Sequence, residues 1–254
     1  LSKLKYLQLS YAIITNIYPD HLSYHGSFIN YVKAKFKIIR FLSDKGILFL
    51  NNDVFLKYFR YLNSIDKDRV FKIKITKNRK ENLEDNIEDL NIQLIEKIVK
   101  KIDKNIFIKD LKFKNLPFRN QVIKETKKLK IYNDSKCTNL HNAILKNNLI
   151  NSKNKILILG GKPKLQNQTN IIKDTTVLIF GPFSNLILKN IIFHNCKYFK
   201  FDSLFNLLLF IKILNRDNYF DNILFSPGGE SFDLYDSFIE RGISFNSLVK
   251  KLKL

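Results

Sequence analysis

The stretch Asn133-Asp134-Ser135-Lys136-Cys137-Thr138-Asn139 lies between two segments of different periodicity. Before it, Leu129-Lys130-Ile131-Tyr132 is short and apolar in the manner of a buried strand. After it, Leu140 to Leu149 reads as an amphipathic helix. A strand that ends in Asn-Asp-Ser and opens a helix leaves backbone N–H groups without intrahelical partners. Those donors, the positive end of the helix dipole and Lys136 suit a phosphate or a carboxylate. An Asp or Ser N-cap on an ordinary βα loop has the same spelling, so local physics leaves both readings open.

Working outward, apolar runs at 128–132, 155–159, 175–180, 197–201 and 222–225 alternate with helical patterns, notably 202–214 and 233–252. Such alternation predicts a doubly wound, Rossmann-like sheet with ligands beyond the carboxyl ends of its strands. Gly160-Gly161-Lys162-Pro163-Lys164 follows the second of these strands, where a tight turn is the plain account. On the amino-terminal side, Leu116-Pro117 marks a junction between domains. The predicted class is α/β, an incomplete parallel-sheet domain over residues 1–115 followed by the Rossmann-like domain over 116–254.

In the first half, Tyr11 to Ile17 reads as a buried parallel strand ended by Pro19. Ser27 can cap a helix whose apolar stripe is Phe28, Tyr31, Val32, Phe36, Ile39 and Leu42. Lys35 falls within that stripe, either as a stem that snorkels to the rim or as a charge used in a site. Gly46 is expected to end the helix in the left-handed conformation. A strand at 47–50, a helix at 54–62, an edge strand at 69–76, a polar loop over 77–88 and a helix near 90–102 follow.

The 254 residues can bury one large core or two moderate ones. Lys and Arg outnumber Asp and Glu by 44 to 23, a net charge of +21. The lysines are spread along the whole chain, so the excess speaks for anionic ligands and against a nucleic-acid partner. No apolar run reaches the 18 or so residues of a membrane span. The two cysteines, Cys137 and Cys196, have neither CxxC nor zinc spacing, and reduced thiols in a cytoplasmic protein are expected. The chain contains no Met and opens in what reads as the middle of a domain.

Asn133 to Asn139 resembles the NDSKATN loop of the Mur ligase family. NIYPDHLSYHGSFINYVKAK resembles the same family's N-x-x-PDHLD-x-HGS-x-x-x-Y-x-x-AK segment, and Leu116 to Gln121 its LPHR-x-E linker. Gly160 to Lys164 resembles GG-x-x-K, and SPGGESFDLYDSFIERGISF resembles the SP-x-x-x-SFD-x-F-x-x-F-x-x-RG-x-x-F ending. The resemblance runs from about Ile13 to the C-terminus. Ser23, Phe118, Gln121, Lys162 and Glu230 depart from these patterns, and near Asn91 the family's Asn-x-x-Asn has Glu88 at its first position.

The resemblance implies an ATP-dependent amide ligase that adds D-glutamate to UDP-N-acetylmuramoyl-L-alanine through an acyl phosphate, acting as a monomer. It implies Mg2+ held by His21 and by a carbamate on Lys35, both also catalytic. ATP would meet Asn91, Arg119, Asp134 and Lys136, and D-glutamate would meet Thr138, Lys164, Ser231, Phe232 and Phe238. No G-x-x-x-x-GK-[ST] phosphate loop occurs in the chain. The expectation is therefore the C-terminal portion of such a ligase, inactive alone. A non-catalytic remnant that binds ligand or partner is the alternative.

Overall fold

A computed structural model describes residues 7–17, 22–74, 83–106, 116–152, 154–164, 170–217 and 219–254, with side chains except at residues 23 and 83–91. The chain forms two compact units, residues 1–80 with 84–112 and residues 113–254 with 81–83.

The first unit contains β1 (Leu9–Ile14), α1 (Leu22–His25), α2 (Phe28–Phe36), β2 (Leu42–Asn51), α3 (Asn52–Tyr58), β3 (Val70–Ile73) and α4 (Leu83–Ile102). Its strands form a parallel sheet in the order β1-β2-β3. On one face Val32, Phe36 and Ile39 pack with Ala12, Ile14, Leu48 and Leu50. On the other, Leu94 and Ile98 of α4 cover Phe49 and Ile73. Helices on both faces are what a parallel sheet requires.

Three expectations change here. Ser27 does cap α2, its Oγ accepting from the Asn30 amide at 3.1 Å, but the helix stops at Phe36 and tightens into a 3₁₀ turn over Lys37–Phe41. Gly46 therefore lies within β2 and ends no helix. A Cβ there would stand 2.6 Å from the Leu9 carbonyl oxygen, so close strand approach is what excludes a side chain. Residues 83–88, expected in a loop, belong to α4.

The second unit contains β4 (Gln121–Glu125), β5 (Lys130–Asn133), α5 (Leu140–Leu149), β6 (Lys155–Gly160), β7 (Asn170–Lys173), β8 (Thr176–Phe180), α6 (Ser184–Leu188), β9 (Ile191–His194), β10 (Lys197–Phe201), α7 (Leu204–Leu214), β11 (Asn222–Gly228) and α8 (Phe238–Leu252). The main sheet has the order β10-β8-β6-β11-β5-β4, parallel except for β4. β7 and β9 pair separately. Neither β4 nor the β7–β9 pair is legible in the hydrophobic pattern. The helix expected from residue 233 begins at Phe238, where Ser237 Oγ accepts from the Glu240 amide.

Strand alternation assigns each side chain to a face. Ile131, Ile156, Ile158, Leu178, Phe180, Ile223 and Phe225 point to α7 and α8. Tyr132, Leu157, Leu159, Val177, Ile179 and Leu224 point to α5, α6 and the small sheet. Because both faces are buried, Ile156-Leu157-Ile158-Leu159 reads as an unbroken apolar run. Phe225 and Phe245 stack at 4.1 Å and 8°, a contact worth about 0.5–1.5 kcal/mol beyond its buried area. β11 returns from the far edge to lie between β6 and β5. The strand order reverses there, and the carboxyl ends of those three strands bound the crevice such a reversal creates.

Candidate functional site

The loop after β5 is closed by its own hydrogen bonds. The amide of Ser135 donates to Asn133 Oδ1 (3.0 Å), that of Lys136 to the Phe118 carbonyl (3.0 Å) and that of Cys137 to the Asp134 carbonyl (2.8 Å). These N–H groups are engaged within the unit and form no open anion cradle, so of the two readings left open by the sequence these three amides follow the ordinary loop. The helix begins later, at Leu140, and its N-cap is Asn139, whose Oδ1 accepts from the Asn142 amide (3.1 Å). The polar residues before it satisfy the loop's own backbone first.

Asp134 is 1 % exposed. Its Oδ2 accepts from Lys146 Nζ (2.6 Å) and Ser226 Oγ (2.9 Å), and its Oδ1 from the Asn120 amide (3.2 Å). A buried carboxylate is tolerated only when so paired. These bonds make Asp134 the support of the loop.

The 117–120 turn is fastened to the same place. Phe118 and Asn120 have φ of 61° and 45°, left-handed values that bulky residues adopt only under constraint. The Phe118 ring fills the space a Cβ on Gly242 would need, 2.4 Å from its Cδ1. With Phe118 and Asn120 both bonded to the 134–136 loop, the exposed Arg119 is held beside that loop.

The ends of β5, β6 and β11 are laced by backbone bonds. The Gly228 amide donates to the Cys137 carbonyl (2.9 Å), and Lys162 and Glu230 exchange amide-to-carbonyl bonds at 2.9 and 2.8 Å. Thr138, Lys164, Ser231 and Phe238 thus belong to adjoining segments of one sheet edge. Thr138 and Lys164 are half-buried, Ser231 is buried and Phe232 is exposed. Lys136 Nζ stands 3.9 Å from the centroid of the half-buried Phe238 ring.

Arg241, which the sequence reading did not single out, reaches this edge from α8 and is fully buried. Its Nη2 donates to the Ser135 carbonyl (2.8 Å), Nε to Ser135 Oγ (3.2 Å) and Nη1 to the Gly229 carbonyl (3.0 Å). Burial pushes its pKa down to about 10 against the opposing pull of Asp233. Burial likewise raises the Asp233 carboxyl, whose Oδ2 has no hydrogen-bond partner among the described residues. Lys146 and Ser226 also escaped notice, since nothing in their local spelling links them to Asp134. An Arg on the apolar stripe of a helix was the available signal for Arg241.

In the first unit, Lys35 is exposed on α2, with Nζ 5.2 Å from the Tyr31 ring centroid. It flanks the apolar stripe, as a snorkelling stem does. His21 lies outside the described residues, as does the side chain of Asn91 on α4. Among the described residues no group of three His, Cys, Asp or Glu could hold a metal ion. Among them also, no helix is long and apolar enough to cross a membrane.

Residues 1–111 match the Mur ligase middle domain. The chain is similar to the UDP-N-acetylmuramoylalanine–D-glutamate ligase of Petrotoga mobilis, with 29 % identity over 94 % of this chain and 60 % of that protein. To the enzyme of the same name from Fervidobacterium nodosum it is 31 % identical, over 95 % of this chain and 58 % of that protein. It thus spans about 60 % of the length of these curated relatives. The crystal structure of MurF ligase from Thermotoga maritima in complex with ADP has a similar fold, with a TM-score of 0.61 at 17 % identity over 95 % of this chain and 62 % of that one. MurF from Acinetobacter baumannii gives 0.60 at 12 % identity, over 94 % and 60 %. Its first part thus matches the Mur ligase middle domain, and about 95 % of its length is similar to these ligases.

Proposed function

We propose that this chain carries the D-glutamate-binding part of an ATP-dependent amide ligase that acts on UDP-N-acetylmuramoyl-L-alanine in peptidoglycan-precursor synthesis. In this reading residues 1–115 are the C-terminal part of the central ATPase domain and residues 116–254 the C-terminal domain. The observation that carries it is the lacing of the β5, β6 and β11 loops by the Gly228–Cys137 and Lys162–Glu230 bonds. It gathers the segments bearing Lys136, Thr138, Lys164, Ser231 and Phe238 where the strand order reverses.

The Lys164 ammonium pairs with a carboxylate of D-glutamate, and the hydroxyls of Thr138 and Ser231 fix its orientation. Phe238 and the exposed Phe232 close over the carbon chain. Held this way, the amine faces the carbonyl carbon of the acyl phosphate that forms when ATP phosphorylates the alanyl carboxylate. The C–N bond forms, the C–O bond to phosphate breaks, and inorganic phosphate and a proton leave. Lys136 and Arg119 balance phosphate charge, and Asn91 meets the adenine. Mg2+, bound through His21 and a carbamate on Lys35, would neutralise phosphate oxygens. Asp134 acts by holding the loop that carries Lys136.

The test is a calorimetric or NMR titration of this chain with D-glutamate and, separately, with L-glutamate. D-glutamate should bind saturably and in preference to its enantiomer. Lys164→Ala should weaken binding roughly ten- to hundredfold, the equivalent of about 1.5–3 kcal/mol for a charge-assisted contact. Equal affinity for the two enantiomers, or an indifferent Lys164→Ala variant, would remove the basis for the substrate assignment.

A further inference from the structure

We propose that Arg241 is a positioning residue that holds the 134–138 and 228–231 loops at a fixed separation, and so sets the spacing between the phosphate-facing and D-glutamate-facing halves of the site. The identity of the two ligands rests on the ligase reading above. The lock itself rests on geometry alone.

The guanidinium is fully buried, yet no carboxylate forms an ion pair with it among the described residues. Its hydrogen bonds among the described residues go to two carbonyl oxygens, on Ser135 and Gly229, and to one hydroxyl, on Ser135. As a device for stability this is a poor choice, because an apolar side chain of similar volume fills a core without the cost of desolvating a charge. What an apolar side chain cannot do is bind two different loops at once with a rigid planar fork.

The surroundings accommodate that fork. Ser135 Oγ, which accepts from Nε, donates in turn to the Phe238 carbonyl at 2.8 Å, closing a ring of bonds between the β5 loop and the start of α8. The third strand end leaves room as well. Gly161, at φ +85°, could carry a Cβ only 2.7 Å from Nη1 and 2.4 Å from the Glu230 carbonyl oxygen. One side chain therefore abuts the ends of β5, β6 and β11, although it is presented by a helix that none of them directly precedes except β11.

Amide hydrogen exchange on the whole chain tests the lock. The readout is the Lys136, Cys137, Gly228 and Glu230 amides, which lie in these two loops and donate to the Phe118, Asp134, Cys137 and Lys162 carbonyls, compared with core amides of β6 and β8. In Arg241→Met, which keeps the volume and removes the donors, exchange at these loop amides should rise about tenfold or more relative to the core amides. Arg241→Lys should not restore them, because it keeps the charge but lacks the fork. Ser135→Ala, a milder change that serves if Arg241→Met does not fold, should loosen the same two loops to a smaller degree. D-glutamate affinity should fall about tenfold in Arg241→Met. Uniform loosening of loops and core, loosening of one loop only, or unchanged D-glutamate affinity in a variant with loosened loops would each overturn the proposal. Failure of the wild-type chain to bind D-glutamate, alongside two-loop loosening in the variants, would refute the ligase reading and leave the lock standing.

Discussion

Lys146 Nζ lies 2.6 Å from Asp134 Oδ2, joining the body of α5 to the loop that precedes it. The same carboxylate accepts from Ser226 on β11 and from the Asn120 amide in the linker turn. Four segments, spread from Asn120 to Ser226, therefore meet at one buried charge. The loop keeps its shape through this junction as well as through its own turn chemistry.

Lys146→Met should destabilise the chain by about 2–4 kcal/mol, because it leaves the Asp134 carboxylate buried with neutral donors only. Urea unfolding measures this as a lower midpoint with an unchanged slope. A loss well under 1 kcal/mol would mean that Ser226 and the Asn120 amide suffice to hold the charge.

Two glycines should respond to the same substitution with losses of different size. At Gly229 a Cβ would lie 2.6–2.7 Å from backbone atoms of Gly160 and Gly161, none of which can swing aside. Gly229→Ala should cost about 3 kcal/mol or more and disturb D-glutamate binding. At Gly26, φ is +71° and nothing lies within 4 Å of the Cβ position, so Gly26→Ala should cost only about 1 kcal/mol of backbone strain. Comparable losses in thermal unfolding of the two variants would contradict the close approach of β6 and β11.

Asp233 should give a pH signature. Burial raises its carboxyl above the ordinary 3.8, so the folded chain holds that proton more tightly than the unfolded chain. Its favourable contribution is complete below 3.8 and is lost as pH rises through the folded value. Asp233→Asn stays neutral throughout. Its stability relative to the parent should therefore climb over that window and then level off at neutral pH. Chemical unfolding at a series of pH values reads the difference, and one that shrinks as pH rises would show the carboxylate to be favourably solvated where it stands.

Much of the fold was legible because buried parallel strands carry continuous apolar runs. Ile156 to Leu159 and Val177 to Phe180 could be assigned without knowing their neighbours. β4 was not, since Gln-Val-Ile-Lys-Glu is half-exposed and becomes a strand only by pairing with β5. Gly46 was misread for a related reason. Nothing near it in sequence announces the Leu9 carbonyl that excludes a side chain there.

The site divides along the same line. Sequence alone determined the strand-loop-helix spelling around Asn133 to Asn139, the two glycine-bearing loops and the apolar face of α8, because each depends on side-chain period and turn residues within a few positions. Only tertiary structure decided that β11 returns between β5 and β6, that Asn139 rather than Asp134 or Ser135 caps α5, and that Arg241 binds two loops at once. Those outcomes rest on which buried donors and acceptors can satisfy one another across more than a hundred residues of chain, as Arg241 and Ser135 do at a separation of 106. A local pattern carries no record of such a pairing until the sheet has brought its partners together.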